Sequence, residues 1–115
     1  RIQDINRLKD LGWEVHLNYS PLIFMPGWSK HYDELFKRVK EVAGENKCEV
    51  IALTNHVNQM IKASDEAREI MKYSDEVKNR SGVMRYPLAK KHKLLAMFKE
   101  IYSNYFDIAT IRYIF

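Results

Sequence analysis

The chain has 115 residues, about the size of one ordinary domain, and its 46% hydrophobic and 30% charged residues are typical of a folded protein. The longest stretch without Asp, Glu, Lys or Arg covers only 15–29 and contains two prolines, which excludes a membrane-spanning helix of about 20 residues. The single cysteine, Cys48, excludes an internal disulfide and a metal site built from several cysteines. We therefore expect a cytoplasmic protein that does not bind a membrane.

Helix and strand patterns alternate along the first half of the chain. Apolar residues recur at every third position over 2–11, which predicts an amphipathic helix, and the strict alternation over 13–19 predicts a strand. A Pro-bounded apolar loop over 20–27 precedes a second helix over 29–44, which we expect its first serine to cap. An apolar run that begins at Val50 predicts a second strand, which continues as far as residue 56.

The second half is more varied. A serine followed by two acidic residues predicts a helix over 64–73, because acidic side chains suit the first turn of a helix. Residues 75–90 predict a β-hairpin with its turn at Ser81 and Gly82. Helical spacing of apolar residues over 94–105 predicts a final helix, and the β-branched and aromatic residues of 108–115 predict a closing strand.

The order of these elements predicts an α/β fold. Strands that alternate with helices of 10–15 residues form parallel βαβ units. Three such strands are few for a sheet covered on both faces, so we expect the end of a larger α/β sheet or barrel. The chain starts at Arg1, without Met and directly inside a helical pattern, which also favours a piece of a longer protein.

Positive charge is concentrated in one segment. Residues 77–99 carry a charge of +7 without any acidic residue, whereas the rest of the chain sums to −3. The bases of this segment are Lys78, Arg80, Arg85, Lys90, Lys91, Lys93 and Lys99. Such a segment attracts phosphate backbones or anionic surfaces, although a run of charge is also compatible with a solvated, lysine-rich face.

The predicted hairpin combines these bases with an aromatic residue. Arg80, Arg85, Tyr86 and Lys90 lie on it or beside it. An element that binds phosphates and stacks on nucleobases needs basic side chains with an aromatic side chain between them. The sequence therefore indicates a nucleic-acid contact at this hairpin.

A second group of candidates lies where the predicted strands end, because functional residues of parallel α/β folds gather at the carboxyl ends of strands. These are Asn18 and Ser20 after the first strand, and Asn55 and His56 after the second. His56 is the most capable of them chemically, as a proton carrier or hydrogen-bond partner, or else it orients its loop by bonding to the backbone. The sequence has no nucleophile motif, phosphate-binding glycine loop or H-E-x-x-H spacing.

Four segments carry a family resemblance: VHLNYSPLIFMPGW over Val15–Trp28, VIALTNH over Val50–His56, DEVKNRSGVMRYPLAK over Asp75–Lys90, and IRYIF over Ile111–Phe115. With these segments the whole chain resembles the C-terminal third of spore photoproduct lyases. These are radical-SAM enzymes that repair the thymine dimer of spore DNA. The hairpin segment is the most specific of the four.

The resemblance implies a fold, cofactors and partners. The fold would be the last βα units of a partial (β/α)6 radical-SAM-type barrel with an inserted basic hairpin. The hairpin would contact damaged duplex DNA through Arg85, Tyr86 and Lys90, and also through Lys78 and Arg80. A [4Fe–4S] cluster and S-adenosylmethionine are implied for the full-length enzyme, with their ligands in the polypeptide before Arg1. No catalytic or metal-binding residue is carried over, because the cluster-binding Cys-x3-Cys-x2-Cys run is absent from this chain.

The sequence departs from the family at Asn55, where the family has Gln, and at Val83, Met84 and Pro87 of the hairpin. These differences leave three hypotheses open. The chain is the C-terminal part of a radical-SAM DNA lyase, a nucleic-acid-binding module without catalysis, or part of a related radical-SAM enzyme with another substrate.

Overall fold

The structure is a computed structural model that describes residues 2–56, 63–71, 77–78 and 83–115. Its helices are α1 (Ile2–Asp10), α2 (Trp28–Ala43), α3 (Asp65–Met71) and α4 (Leu88–Ser103). Its strands are β1 (His16–Leu22), β2 (Lys47–Ala52), β3 (Thr54–His56), β4 (Val77–Lys78), β5 (Val83–Arg85) and β6 (Ile111–Ile114). None of the described helices is long and apolar enough to cross a membrane.

A three-stranded parallel sheet forms the centre of the fold and confirms the predicted α/β class. Its strand order is β1-β2-β6. His16 begins β1 opposite Lys47 of β2, and Cys48 of β2 lies opposite Ile111 of β6. The chain passes through α2 between the first two strands and through α4 before the third, as parallel pairing requires.

Helices α2 and α4 pack on the same face of this sheet. The ring of Tyr19 on β1 lies 5.4 Å from Phe36 of α2 and 6.2 Å from Phe98 of α4. Because side chains alternate along a strand, Cys48 and Val50 of β2 point to this face and are buried. The hydrophobic core therefore lies between the sheet and one layer of helices.

The opposite face of the sheet is open to solvent in the described part of the chain. Asn18 and Ser20 of β1 are exposed on it, and Tyr113 of β6 is 43% exposed. Parallel sheets are normally covered on both faces, so this sheet is half of the usual arrangement.

A second sheet extends from the carboxyl end of β2. It is antiparallel with the order β3-β5-β4. Strands β4 and β5 pair as Val77 with Arg85, which confirms the predicted hairpin, while its turn lies outside the described residues. The pairing of β3 with β5, with His56 opposite Val83, was not predicted.

The first strand lies three residues later than predicted. Trp13 is 67% exposed and precedes the strand, whereas Ser20 and Pro21 belong to it and Leu22 ends it fully buried. The alternating pattern shows which side chains share a face, but pairing with β2 decides where the strand begins and ends.

The second helix begins at Trp28 rather than at a serine cap. Gly27 precedes it with φ of 80° and no side-chain cap, and Ser29 lies inside the first turn. By contrast, Ser64 caps α3 as predicted, because its Oγ accepts a hydrogen bond from the Ala67 amide at 3.2 Å. The predicted closing strand is shorter than expected, since Ile108–Thr110 form a 3₁₀ turn.

Candidate nucleic-acid interface

The basic residues of the positively charged segment that the structure describes lie at the end of the hairpin and along the last helix. Arg85 ends β5 and is exposed, and α4 begins three residues later. We call the following residues the basic surface: Arg85, Lys90, Lys91, Lys93 and Lys99. All of them are exposed or half-buried. A single short segment thus brings five positive charges together.

Two residues of the basic surface, Lys90 and Lys91, lie in the first turn of α4, where the helix dipole is unfavourable for cations. The first turn of α4 has no acidic residue, and Pro87 before it provides no side-chain cap. The amino end of a helix carries a partial positive charge, so cations there are unfavourable by about 0.3–1 kcal/mol each. The arrangement is less stable than one with acidic residues, but it attracts anions strongly.

Tyr86 does not fit its predicted role as a DNA-contacting aromatic. Its side chain is 1% exposed, so its ring offers no surface for a base to stack on. Its hydroxyl accepts a hydrogen bond from the Phe24 amide at 3.0 Å, and the two rings lie 5.1 Å apart. Burial raises the pKa of this phenol. Tyr86 therefore anchors the hairpin and the start of α4 to the loop after β1.

The remaining hairpin candidates are only partly placed. The backbone of Lys78 pairs with Met84 in the hairpin, and Arg80 lies outside the described residues. Among the predicted hairpin contacts, Arg85 is described with an exposed side chain.

The candidates at strand ends do not form one site. Asn18 and Ser20 lie within β1 rather than after it, and Asn18 is opposite Glu49 in the parallel sheet. Asn55 and His56 belong instead to the hairpin sheet, through β3. The sequence predicted neither the end of β1 nor the second sheet, to which Asn55 and His56 belong.

A groove that the sequence did not predict lies between α4 and the end of β6. Its volume is about 420 Å³. It is lined by Lys91, His92, Leu95, Ala96, Lys99, Ile114 and Phe115. The helix brings cations to it, and the last strand brings the apolar side chain of Ile114. Because these residues are far apart in sequence, only the packing of α4 on β6 reveals the groove.

A second groove of about 370 Å³ lies at the carboxyl end of β1 and is mainly apolar. It is lined by Ile23, Met25, Trp28, His31, Tyr32 and Leu35. Leu35 is 36% exposed because it faces this groove. The ring centroid of Trp28 lies 4.9 Å from that of Phe24 and 6.3 Å from that of Tyr32. Trp28 therefore packs against the loop after β1 and also lines the groove.

A polar cluster ties the amino ends of the three parallel strands together. The Glu49 carboxylate accepts a hydrogen bond from Arg112 at 3.0 Å, and Arg112 also donates to Nδ1 of His16. Nδ1 of His16 also lies 3.3 Å from Glu49, and its Nε2 lies 3.4 Å from Glu14. Lys47 lies 2.7 Å from Glu14, and its hydrogen bond lowers the pKa of that carboxyl. This cluster links the three parallel strands at their amino ends, whereas functional residues of parallel α/β folds usually lie at the carboxyl ends.

The residues of this chain do not fit an iron–sulfur cluster. Cys48 is the sole cysteine of the sequence, it is 1% exposed, and its thiol donates to Tyr102. The described residues also contain no group of three His, Cys, Asp or Glu that could hold a metal ion.

Comparison with protein-family models, with curated proteins and with solved structures finds no match for the chain.

Proposed function

We propose that this chain is the DNA-contacting C-terminal part of a radical-SAM lyase similar to spore photoproduct lyase, which repairs a thymine-dimer lesion. The observation that carries the proposal is the basic surface, which places Arg85 and four lysines of α4 at exposed or half-buried positions of one short segment. Phosphate contacts position a protein on a duplex without reading its sequence, and lysine and arginine side chains make most of them. The basic surface would hold the damaged duplex against the rest of the enzyme.

The arrangement of the parallel sheet supports the barrel part of this proposal. In a (β/α) barrel, sequential parallel strands are neighbours, and every connecting helix lies on the outer face. The order β1-β2-β6 and the shared face of α2 and α4 agree with that pattern, and they also agree with one half of a doubly wound sheet. The open face, with Asn18 and Ser20, would then point into the barrel. Other strands of the same polypeptide would complete it and would hold the cluster and S-adenosylmethionine.

The basic surface is tested by duplex binding across a series of salt concentrations. Each phosphate contact contributes about 0.9 to the slope of log affinity against log salt concentration. The double variant Arg85→Ala/Lys90→Ala should bind duplex DNA more weakly, and its slope should fall by about 1.8. The matched control is Lys30→Ala/Lys37→Ala, which removes the same charge from exposed positions of α2. An unchanged slope in the first variant would contradict the proposal.

A nucleic-acid-binding module without catalysis is the second candidate. It is favoured by the core, which joins three helices and the parallel sheet within these 115 residues. The coding sequence before Arg1 separates the two candidates. A Cys-x3-Cys-x2-Cys run in the same reading frame supports the lyase, and a start codon directly before Arg1 supports the module.

A further inference from the structure

We infer that β3 takes part in the DNA contact, with Thr54 and His56 beside Arg85 as a site for one backbone phosphate. By the same register, Lys78 belongs to the opposite face of the hairpin sheet and is set apart from that phosphate. This inference rests on the proposed function and states which face of the hairpin sheet meets the duplex.

The register of the hairpin sheet brings these positions together. Arg85 of β5 pairs with Thr54 of β3 on one side and with Val77 of β4 on the other. Paired residues share a face, and so do residues two apart along a strand. His56, which pairs with Val83, therefore shares the face of Arg85. Because the Cβ atoms of paired residues lie about 5 Å apart and those of diagonal neighbours about 7 Å apart, one phosphate can be reached from all three positions.

The Arg85 face of the hairpin sheet is the one that meets solvent. Arg85 is exposed, whereas Tyr86, the next residue, is 1% exposed and its hydroxyl accepts a hydrogen bond from the Phe24 amide. Successive residues of a strand alternate between faces, so the other face is the one turned toward the loop after β1. One row of paired positions belongs to that other face: Asn55, Met84 and Lys78.

The residue types on the Arg85 face suit a phosphate. An arginine side chain has five N–H donors and can bind two phosphate oxygens at once. A threonine hydroxyl and an imidazole N–H each add one donor. The strand positions that share this face, which are 54, 56, 77, 83 and 85, include no acidic residue. The face is also continuous with the basic surface, because Arg85 belongs to both and α4 begins three residues after it.

The two faces are compared by removing one positive charge from each. Duplex binding of the 115-residue chain is measured across a series of salt concentrations. Arg85→Gln should lower the slope of log affinity against log salt concentration by about 0.9, which is the contribution of one phosphate contact. Lys78→Gln removes the same charge from the opposite face of the same hairpin and should leave the slope unchanged. If Lys78→Gln lowers the slope as much as Arg85→Gln does, the inference is wrong.

The contribution of β3 is tested without a change of net charge at neutral pH. Thr54→Val/His56→Phe keeps the size and strand propensity of both residues and removes their donors. It should weaken duplex binding by about fivefold or more, because hydrogen bonds to a charged phosphate are lost. Asn55→Leu removes a polar side chain from the opposite face of the same strand and should leave the affinity unchanged. An unchanged affinity of the double variant would contradict the inference, provided that its urea transition matches that of the parent protein.

Methyl signals in nuclear magnetic resonance spectra of the parent protein test the same face without any substitution. Val77 and Val83 share the face of Arg85, and Met84 belongs to the opposite face. When duplex DNA is added, the methyl signals of the two valines should shift more than the methyl signal of Met84. A larger shift at Met84 would place the duplex on the other face and would overturn the inference.

Failure of this inference is distinguishable from failure of the proposed function. If Arg85→Ala/Lys90→Ala weakens duplex binding but Thr54→Val/His56→Phe does not, the phosphate site of β3 fails and the proposed function stands. If the slope is unchanged in Arg85→Ala/Lys90→Ala, the proposed function fails, and the inference that rests on it fails as well.

Discussion

Cys48 is the first residue of a buried hydrogen-bond chain that joins the sheet to the end of the last helix. Its thiol donates to the Tyr102 hydroxyl, which bonds to Thr110, and the Thr110 hydroxyl donates to the Asp107 carbonyl at 2.7 Å. Each hydroxyl therefore has a donor and an acceptor partner, which removes most of the cost of burying it. Burial raises the pKa of both the Cys48 thiol and the Tyr102 phenol.

The burial of the Cys48 thiol and the Tyr102 phenol predicts that the protein loses stability at alkaline pH. The folded state holds the thiol and the phenol neutral, so their contribution is complete below the ordinary pKa values of 9.0 and 10.0 and falls as pH rises above them. The free energy of unfolding should be flat to about pH 8 and should decrease from about pH 9 upward. Urea denaturation between pH 7 and pH 11 measures it. In Cys48→Ala the decrease should begin about one pH unit later, because only the tyrosines remain; an unchanged onset would show that Cys48 does not contribute.

The last helix combines two requirements that oppose each other. The apolar side of α4 supplies Leu95, Phe98 and Tyr102 to the core, and its first turns supply lysines to the basic surface. The stability of α4 thus comes from its packing rather than from its amino end, where positive charge and the helix dipole are unfavourably combined.

An acidic residue in the first turn of α4 should therefore change stability and binding in opposite directions. Ala89 is exposed in that turn. Relative to Ala89→Gln, which has nearly the same size and no charge, Ala89→Glu should raise the free energy of unfolding by about 0.3–1 kcal/mol at low salt. It should also weaken duplex binding, because it places a carboxylate beside the lysines. Urea denaturation and duplex binding at one salt concentration measure both effects; a change of the same sign in both would contradict this account of α4.

Phe36 makes the sheet and the helices one cooperative unit. Its ring centroid lies between 5.3 and 6.2 Å from five other aromatic rings. They belong to Tyr19, Tyr32, Phe98, Tyr102 and Phe106. These contacts connect β1, both long helices and the turn after α4, so no single element loses its packing alone.

Truncation of Phe36 should lower the stability of the whole molecule. Phe36→Ala removes a fully buried ring, and we expect a loss of about 3–5 kcal/mol, which is a large part of the 5–15 kcal/mol typical of a domain. Phe36→Leu keeps most of the volume and should lose about 1.5 kcal/mol or less. Urea transitions followed by far- and near-ultraviolet circular dichroism should coincide for both variants. Separate transitions for the helices and the aromatic signals would show that the core is not one unit.

Local patterns in the sequence predicted most of the elements and the site of highest charge. The hairpin and the cap at Ser64 follow from neighbouring residues, and the structure contains both. The predicted bounds of the first strand were wrong by three residues, because pairing with β2, and not the alternation of side chains, sets the ends of the strand. The sequence did not show that Tyr86 is buried. An aromatic residue beside basic residues has the same local pattern whether it is exposed or buried.

The sequence by itself determined the α/β class, through the order of its helix and strand patterns, and it showed that the charge of +4 conceals a +7 segment. Only the tertiary structure decided that Tyr86 is an anchor and that Asn55 and His56 join the hairpin sheet. It also decided that α4 and β6 enclose a groove lined by lysines and apolar side chains. The physical reason is that charge and periodicity are local properties of a sequence. Burial and grooves, in contrast, depend on contacts between residues that are distant along the chain.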